Sequence, residues 1–311
     1  MQDEPKGLPP AVPGEWRRID GRAGRLGFYV AGKGPPLLLI HSINAAGSAY
    51  EVRPIFERAK ASRRVFAVDL PGFGTSDRSD RNYDVALYVA AVHDMLEVIG
   101  RESREPLDAL AISLSSEFLA RAAVEAPGRF RKLAFVTPTG FGKAYHLLRK
   151  PAGSTREIPG LYRFVRFPLW SQGLYDLLVS RRSIRYFLKR TFGSDEIDEG
   201  LLEYDYLTTH QPGAKNAPLA FVSGRLFSAD IREVYDRLEL PIWVPHATRG
   251  DFRDFSDAGW AQAKPNWTFE PFPTGALPHF EQPEAFMASF ARFFGATSAY
   301  SSAEPERSPS P

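Results

Sequence analysis

Leu107-Asp-Ala-Leu-Ala-Ile-Ser-Leu-Ser-Ser-Glu-Phe-Leu119 is the stretch on which the fold of this chain turns. Its first six residues, Leu107–Ile112, form a short, mostly apolar run of the kind that makes a strand buried on both faces. A helix is expected from about Ser116 to Glu125, which leaves Ser113 in the connection. A sharp strand-to-helix turn can hold a serine hydroxyl clear of the backbone, with the amides of the helix N-terminus beside it. Ala111 and Ser115, two residues to either side, are small enough to let such a turn close. Taken alone, the stretch reads equally well as a helix start capped by Ser113, Ser115 and Ser116.

The flanking sequence repeats the same strand–helix unit. Pro36-Leu-Leu-Leu-Ile-His41, Arg64-Val-Phe-Ala-Val-Asp69 and Lys132-Leu-Ala-Phe-Val-Thr137 are further buried runs, and Arg25-Leu-Gly-Phe-Tyr-Val30 alternates as an outer strand does. Helical stretches from about Ala49 to Lys60 and Val85 to Ile99 separate them. This alternation implies an α/β fold with a mostly parallel sheet covered on both sides.

From about Gly142 to Leu238 the text is helical, aromatic and basic, with no buried strand. About a hundred residues are too many for one loop in a compact domain, so 142–238 is expected to be a helical subdomain inserted between sheet strands. Strands resume at Leu240–Pro245 and Trp267–Phe272, with helices near Asp257–Lys264 and Pro283–Phe294. The core is therefore expected over 15–141 and 239–296. The Pro- and Gly-rich start, 1–14, and the Ser- and Pro-rich end, 297–311, are expected as flexible tails.

Composition narrows the function. Hydrophobic residues at 43% and charged residues at 24% suit a globular chain and argue against wholesale disorder. A net charge of +2 gives no reason to expect nucleic acid as a partner. The absence of cysteine excludes disulfides, thiolate metal sites and a cysteine nucleophile. No run approaches the ~18 apolar residues of a membrane span, and Met1-Gln-Asp-Glu-Pro-Lys-Gly-Leu-Pro-Pro10 lacks the charge-then-apolar order of a signal peptide. The expectation is a cytoplasmic protein.

In an open parallel sheet, ligands bind at the carboxyl ends of the strands. His41-Ser-Ile-Asn-Ala-Ala-Gly47 follows one such end and can turn a backbone amide toward an oxyanion, that of Ile43 or, failing it, Ser42. His41 itself reads as a structural residue. Asp69-Leu-Pro-Gly-Phe-Gly-Thr-Ser-Asp77 reads as a tight structural loop. Asp251 and His279 follow later strands, and the chain order Ser113, Asp251, His279 is that of nucleophile, acid and base on such a sheet. Asp254 and Asp257 compete with Asp251 for the acid role.

With these segments in hand, the chain from about Gly24 to Phe294 resembles the α/β-hydrolase family. His41-Ser42-Ile43 is similar to the family's His-Gly oxyanion loop, with Ser42 in place of glycine. Asp69–Asp77 matches its D-x-P-G-x-G-x-S loop. Ala111-Ile-Ser-Leu-Ser115 resembles its nucleophile elbow, G-x-S-x-G, with both glycines replaced. Leu277-Pro-His-Phe-Glu-Gln-Pro-Glu-Ala-Phe286 is similar to the segment bearing its histidine, which commonly reads H-x-x-x-x-x-P-x-x-F or near it. The helical insertion occupies the place of its cap.

The resemblance implies a Ser113–His279–Asp251 triad with the backbone amides of Ile43 and Leu114 as oxyanion donors, acyl transfer to water, and no metal or organic cofactor. The cap's Leu161-Tyr-Arg-Phe-Val-Arg-Phe-Pro-Leu-Trp170 and Arg181-Arg-Ser-Ile-Arg-Tyr-Phe-Leu-Lys-Arg190 suggest an apolar pocket for an ester with a hydrophobic part. Its arginines can hold a substrate anion or touch anionic lipid, or stay solvated. Three alternatives stay open: a carbon–carbon bond hydrolase, a non-catalytic ligand binder and an acyltransferase. Oligomeric state is not legible.

Overall fold

The computed structural model describes residues 7–143, 151 and 153–295. The expected C-terminal tail, 297–311, lies outside them. The chain opens with an antiparallel pair, β1 (Glu15–Gly21) and β2 (Gly24–Ala31), then β3 (Pro36–Ile40), α1 (Arg53–Ala59), β4 (Arg64–Val68), α2 (Val85–Glu102), β5 (Leu107–Ile112), α3 (Ser115–Glu125) and β6 (Phe130–Val136). Among the described residues six helices follow: α4 (Leu161–Val165), α5 (Ser171–Leu178), α6 (Arg181–Phe192), α7 (Glu199–Thr209), α8 (Asn216–Val222) and α9 (Ile231–Asp236). The sheet resumes with β7 (Ile242–Ala247), α10 (Gly259–Gln262), β8 (Trp267–Phe272), α11 (Pro278–Glu281) and α12 (Pro283–Phe294).

The eight strands lie in the order β1-β2-β4-β3-β5-β6-β7-β8. From β4 to β8 every pairing is parallel; β1 and β2 are antiparallel to their neighbours. Side chains alternate across a strand, and in β3 this splits one apolar run between two cores. Leu38 and Ile40 pack with α2 and α3, while Leu37 and Leu39 pack with α1 and α12. That is why β3 and β5 carry no polar face.

Two expectations shift. β2 is not an outer strand: β1 covers it, and Leu26–Val30 are buried wherever they carry a side chain. β1 is hard to read because it is a charged edge, Glu-Trp-Arg-Arg-Ile-Asp-Gly, with polar side chains in solvent. Within the expected N-terminal tail, Ala11 and Val12 are fully buried in the core formed by α1, and the Pro9 carbonyl accepts from the Tyr204 hydroxyl at 3.1 Å.

The strand order reverses about β3, since β4 lies on one side of it and β5 on the other. A crevice opens at such a switch point. The connections leaving β3 and β5 meet there.

Candidate active site

Ser113 leaves β5 with φ of 53°, a left-handed conformation that costs a non-glycine residue on the order of 1 kcal/mol or more and persists only when its surroundings enforce it. Its amide donates to the Val136 carbonyl of β6 at 2.9 Å, which pins the turn to the sheet. The neighbouring serines are not caps. Ser115 Oγ donates to the His41 carbonyl at 2.5 Å and Ser116 Oγ to the Ala111 carbonyl at 3.3 Å, while α3 starts with no side-chain cap. Ser115 thus uses its hydroxyl to tie the elbow to the end of β3, so a serine serves where glycine is usual.

The connection after β3 is organised by Glu51, a buried residue in the short 3-10 turn Ala49–Val52. Its carboxylate accepts from the Ser42 amide at 2.7 Å, the Ser42 hydroxyl at 3.0 Å and Asn44 Nδ2 at 2.8 Å. The Ser42 amide is therefore spent, which leaves Ile43 as the loop's candidate oxyanion donor. The extra hydroxyl of Ser42 finds its partner in the same carboxylate. His41 is structural: its Nδ1 lies 2.6 Å from the Ser42 carbonyl, and its Nε2 accepts from the Leu70 amide at 2.9 Å. Asp69 holds the next loop, accepting from the amides of Ala49 and Thr75 at 2.8 Å each.

The other half of the expected triad is not joined to this one. His279 sits in α11, buried against Phe280 and Phe286, and its Nε2 lies 2.7 Å from the Glu51 carbonyl. A carbonyl only accepts, so Nε2 carries the proton and Nδ1 is the bare nitrogen. Nδ1 is buried without a hydrogen-bond partner among the described residues. Burial lowers the imidazole's pKa to about 4, so the ring is neutral at ordinary pH. Asp251 is half-exposed and ion-paired with Arg190 of α6. Among the described residues no hydrogen bond links Ser113 to His279, or His279 to Asp251. Asp254 bonds Ser256, and Asp257 pairs with Arg232.

The quoted family pattern places its histidine six residues before the proline, whereas His279 precedes Pro283 by four. It lies inside α11 and not on the loop leaving β8. On that loop Ala276 is tied to the elbow's support: its carbonyl accepts from Thr137 Oγ1 at 3.1 Å, and Thr137 follows Val136, whose carbonyl takes the Ser113 amide. The end of α6 is seated directly on this loop, so that a Cβ at Gly275 would come within 2.2 Å of the Thr191 carbonyl.

A cavity of ≈ 430 Å³ lies beside the β3 connection, walled by Asn44–Ala46, by side chains of α5 to α8, and by Asp251 and Phe252. Ser113 is not one of the residues lining it. Glu117 and Asp205, besides Glu51, are buried acids that sequence reading missed. Glu117 accepts from Thr139 Oγ1 at 2.6 Å and the Ser228 amide at 2.8 Å, and burial raises its pKa to about 7. Asp205 of α7 lines the cavity, and burial pushes its carboxyl well above the ordinary range. Neither lies in a motif; each becomes visible only when distant segments meet. Among the described residues no group of three or more His, Asp or Glu side chains could hold a metal ion, and no helix is long and apolar enough to cross a membrane.

Residues 37–289 match the Alpha/beta hydrolase family, and the chain belongs to it. An uncharacterized protein of Mycobacterium tuberculosis is 30% identical over 152 residues, which are 47% of this chain and 41% of that protein, so the match spans less than half of its length. Among solved structures, a serine hydrolase involved in carbazole degradation superposes with a TM-score of 0.70 at 16% identity, covering 90% of this chain and 98% of the other. The carboxylesterase CesB of Bacillus subtilis gives 0.66 at 16% identity, over 91% and 92%. Likenesses this distant in sequence share the fold.

Proposed function

We propose that this protein binds a small, largely apolar molecule between the sheet connections and the inserted helices, which act as a cap over residues 142–238, and that Ser113 is a nucleophile-type serine uncoupled from a general base. Binding, not fast ester turnover, is then the function. One observation carries this: the His279 ring is committed through Nε2 to the Glu51 carbonyl. An unassisted serine hydroxyl is a weak nucleophile. An oxyanion hole and binding alone leave about 10³–10⁴-fold acceleration over water, where a complete triad adds about 10⁶.

A second reading is favoured by the strained φ of Ser113. In it the chain is a carboxylic ester hydrolase acting on an ester with a hydrophobic part. Ser113 attacks, the amides of Ile43 and Leu114 hold the oxyanion, and His279 and Asp251 leave their present partners to complete the relay. A carbon–carbon bond hydrolase would use the same groups.

Time-resolved labelling with a fluorophosphonate separates the readings, comparing wild type with Ser113→Ala, His279→Phe and Asp251→Asn, each checked for folding by thermal melting. Slow labelling is expected, abolished by Ser113→Ala and unchanged in the other two. Rapid labelling that drops about a hundredfold in both His279→Phe and Asp251→Asn would establish the hydrolase.

A further inference from the structure

The cavity beside the β3 connection has few polar side chains, and all but one are already engaged. Asn44 donates to Ser42 and Glu51 and accepts from the Ala46 amide. Thr191 Oγ1 donates to the Phe187 carbonyl at 3.0 Å, and Arg190 and Asp251 hold each other on the solvent-facing side. Asp205 is different. Its residue is 5% exposed, it lines the cavity, and its Oδ1 is buried with no hydrogen-bond partner among the described residues.

A buried polar atom without a partner costs more than an ordinary hydrogen bond contributes, and a side chain that carries one beside a cavity marks where a ligand can complete the site. The charged groups bearing on Asp205 are the carboxylates of Glu51 and Asp198, both acidic. An anion would meet their combined repulsion. Burial together with these neighbours raises the Asp205 pKa and favours the acid form, in which a carboxyl presents one O–H donor and one acceptor oxygen.

We propose that Asp205 is the specificity-determining residue of the cavity, and that it selects an uncharged, largely apolar ligand carrying a hydroxyl or carboxamide group while rejecting carboxylates. The inference rests on the binding reading above and names its ligand class. It separates this cavity from one built for an anionic substrate, which would turn a free arginine inward.

Calorimetric titration of the full chain near neutral pH, with phenylbutanol, phenylbutanamide, phenylbutanoate and phenylbutylamine as probes on one skeleton, tests it. The alcohol and the amide are expected to bind at least about tenfold more tightly than the carboxylate. Asp205→Asn, a neutral isostere, should keep alcohol binding within about threefold, and Asp205→Ala should weaken it about fivefold. Thermal melting of both variants checks that the fold survives. Preferred binding of the carboxylate overturns the inference, as does tightest binding of the amine with proton release. So does alcohol binding that is indifferent to Asp205→Ala. If none of the four probes binds, it is the underlying cavity reading that fails.

Discussion

The connections after β3 and β5 and those after β7 and β8 occupy the same edge of one sheet, yet they differ in what they preserve. In the first pair the two serines that replace the usual glycines are each absorbed by a new hydrogen bond, Ser42 onto Glu51 and Ser115 onto the His41 carbonyl, while Ala111 adds only a buried methyl. In the second pair the titratable side chains are present but engaged elsewhere, His279 on the Glu51 carbonyl and Asp251 on Arg190. The contrast teaches that an elbow and an oxyanion loop are backbone features, enforced by strand pairing and turn geometry. A proton relay depends on single side chains meeting within about 3 Å, and a shift of a few residues along the chain is enough to part them.

The largest effect should come from attacking the intact half. Glu51→Ala removes the acceptor of the Ser42 amide, the Ser42 hydroxyl and Asn44, three groups left without it in a buried loop. A loss of about 3 kcal/mol is expected in chemical denaturation, together with loss of probe binding. Retained stability would mean that the loop is held by other contacts.

His279→Phe comes next and is read through pH. A folded-state pKa of about 4 against an ordinary 6.5 means that the native state holds fewer protons, so this group's contribution is complete above pH 6.5 and gone below about 4. The swing is up to about 3 kcal/mol. Glu117 acts oppositely: its pKa, raised from 4.5 to about 7, gives stability present below 4.5 and lost as pH climbs through 7. Asp205, also raised, adds a further fall with pH, so wild type should lose less stability on raising the pH than it would without His279. His279→Phe should accordingly lose stability more steeply as pH rises, as measured by melting across that range. An unchanged profile would show that His279 is not the buried neutral group described here.

The smallest expected effect sharpens the comparison. Ala276→His places an imidazole on the loop leaving β8, beside the support of the elbow, and should raise the fluorophosphonate labelling rate about tenfold, below the usual worth of a well-placed base. No increase in a folded variant would show that an imidazole on that loop does not serve Ser113.

Much of the fold was legible because its signal is local. Leu37–Ile40 and Leu107–Ile112 announce strands covered on both faces, and the stretch from 142 to 238 announces helices by the want of any such run. The elbow at Ser113 was legible for the same reason: strand, small residues and helix are adjacent in sequence. The charged edge strand β1 was not, since a solvent-facing strand carries no apolar signature. Nor were Glu51, Glu117 and Asp205, whose roles come from segments 7 to 111 residues away in the chain meeting their carboxyl groups, or from the cavity that forms around them.

By itself the sequence determined the sheet, the order of its motifs and the residue types at the site. Tertiary structure alone decided the partner of each side chain. Ser113 was placed by backbone rules that a short stretch contains. The partners of His279 and Asp251 were decided by the seating of α6 and α11 against the sheet connections, a packing outcome that no local pattern records.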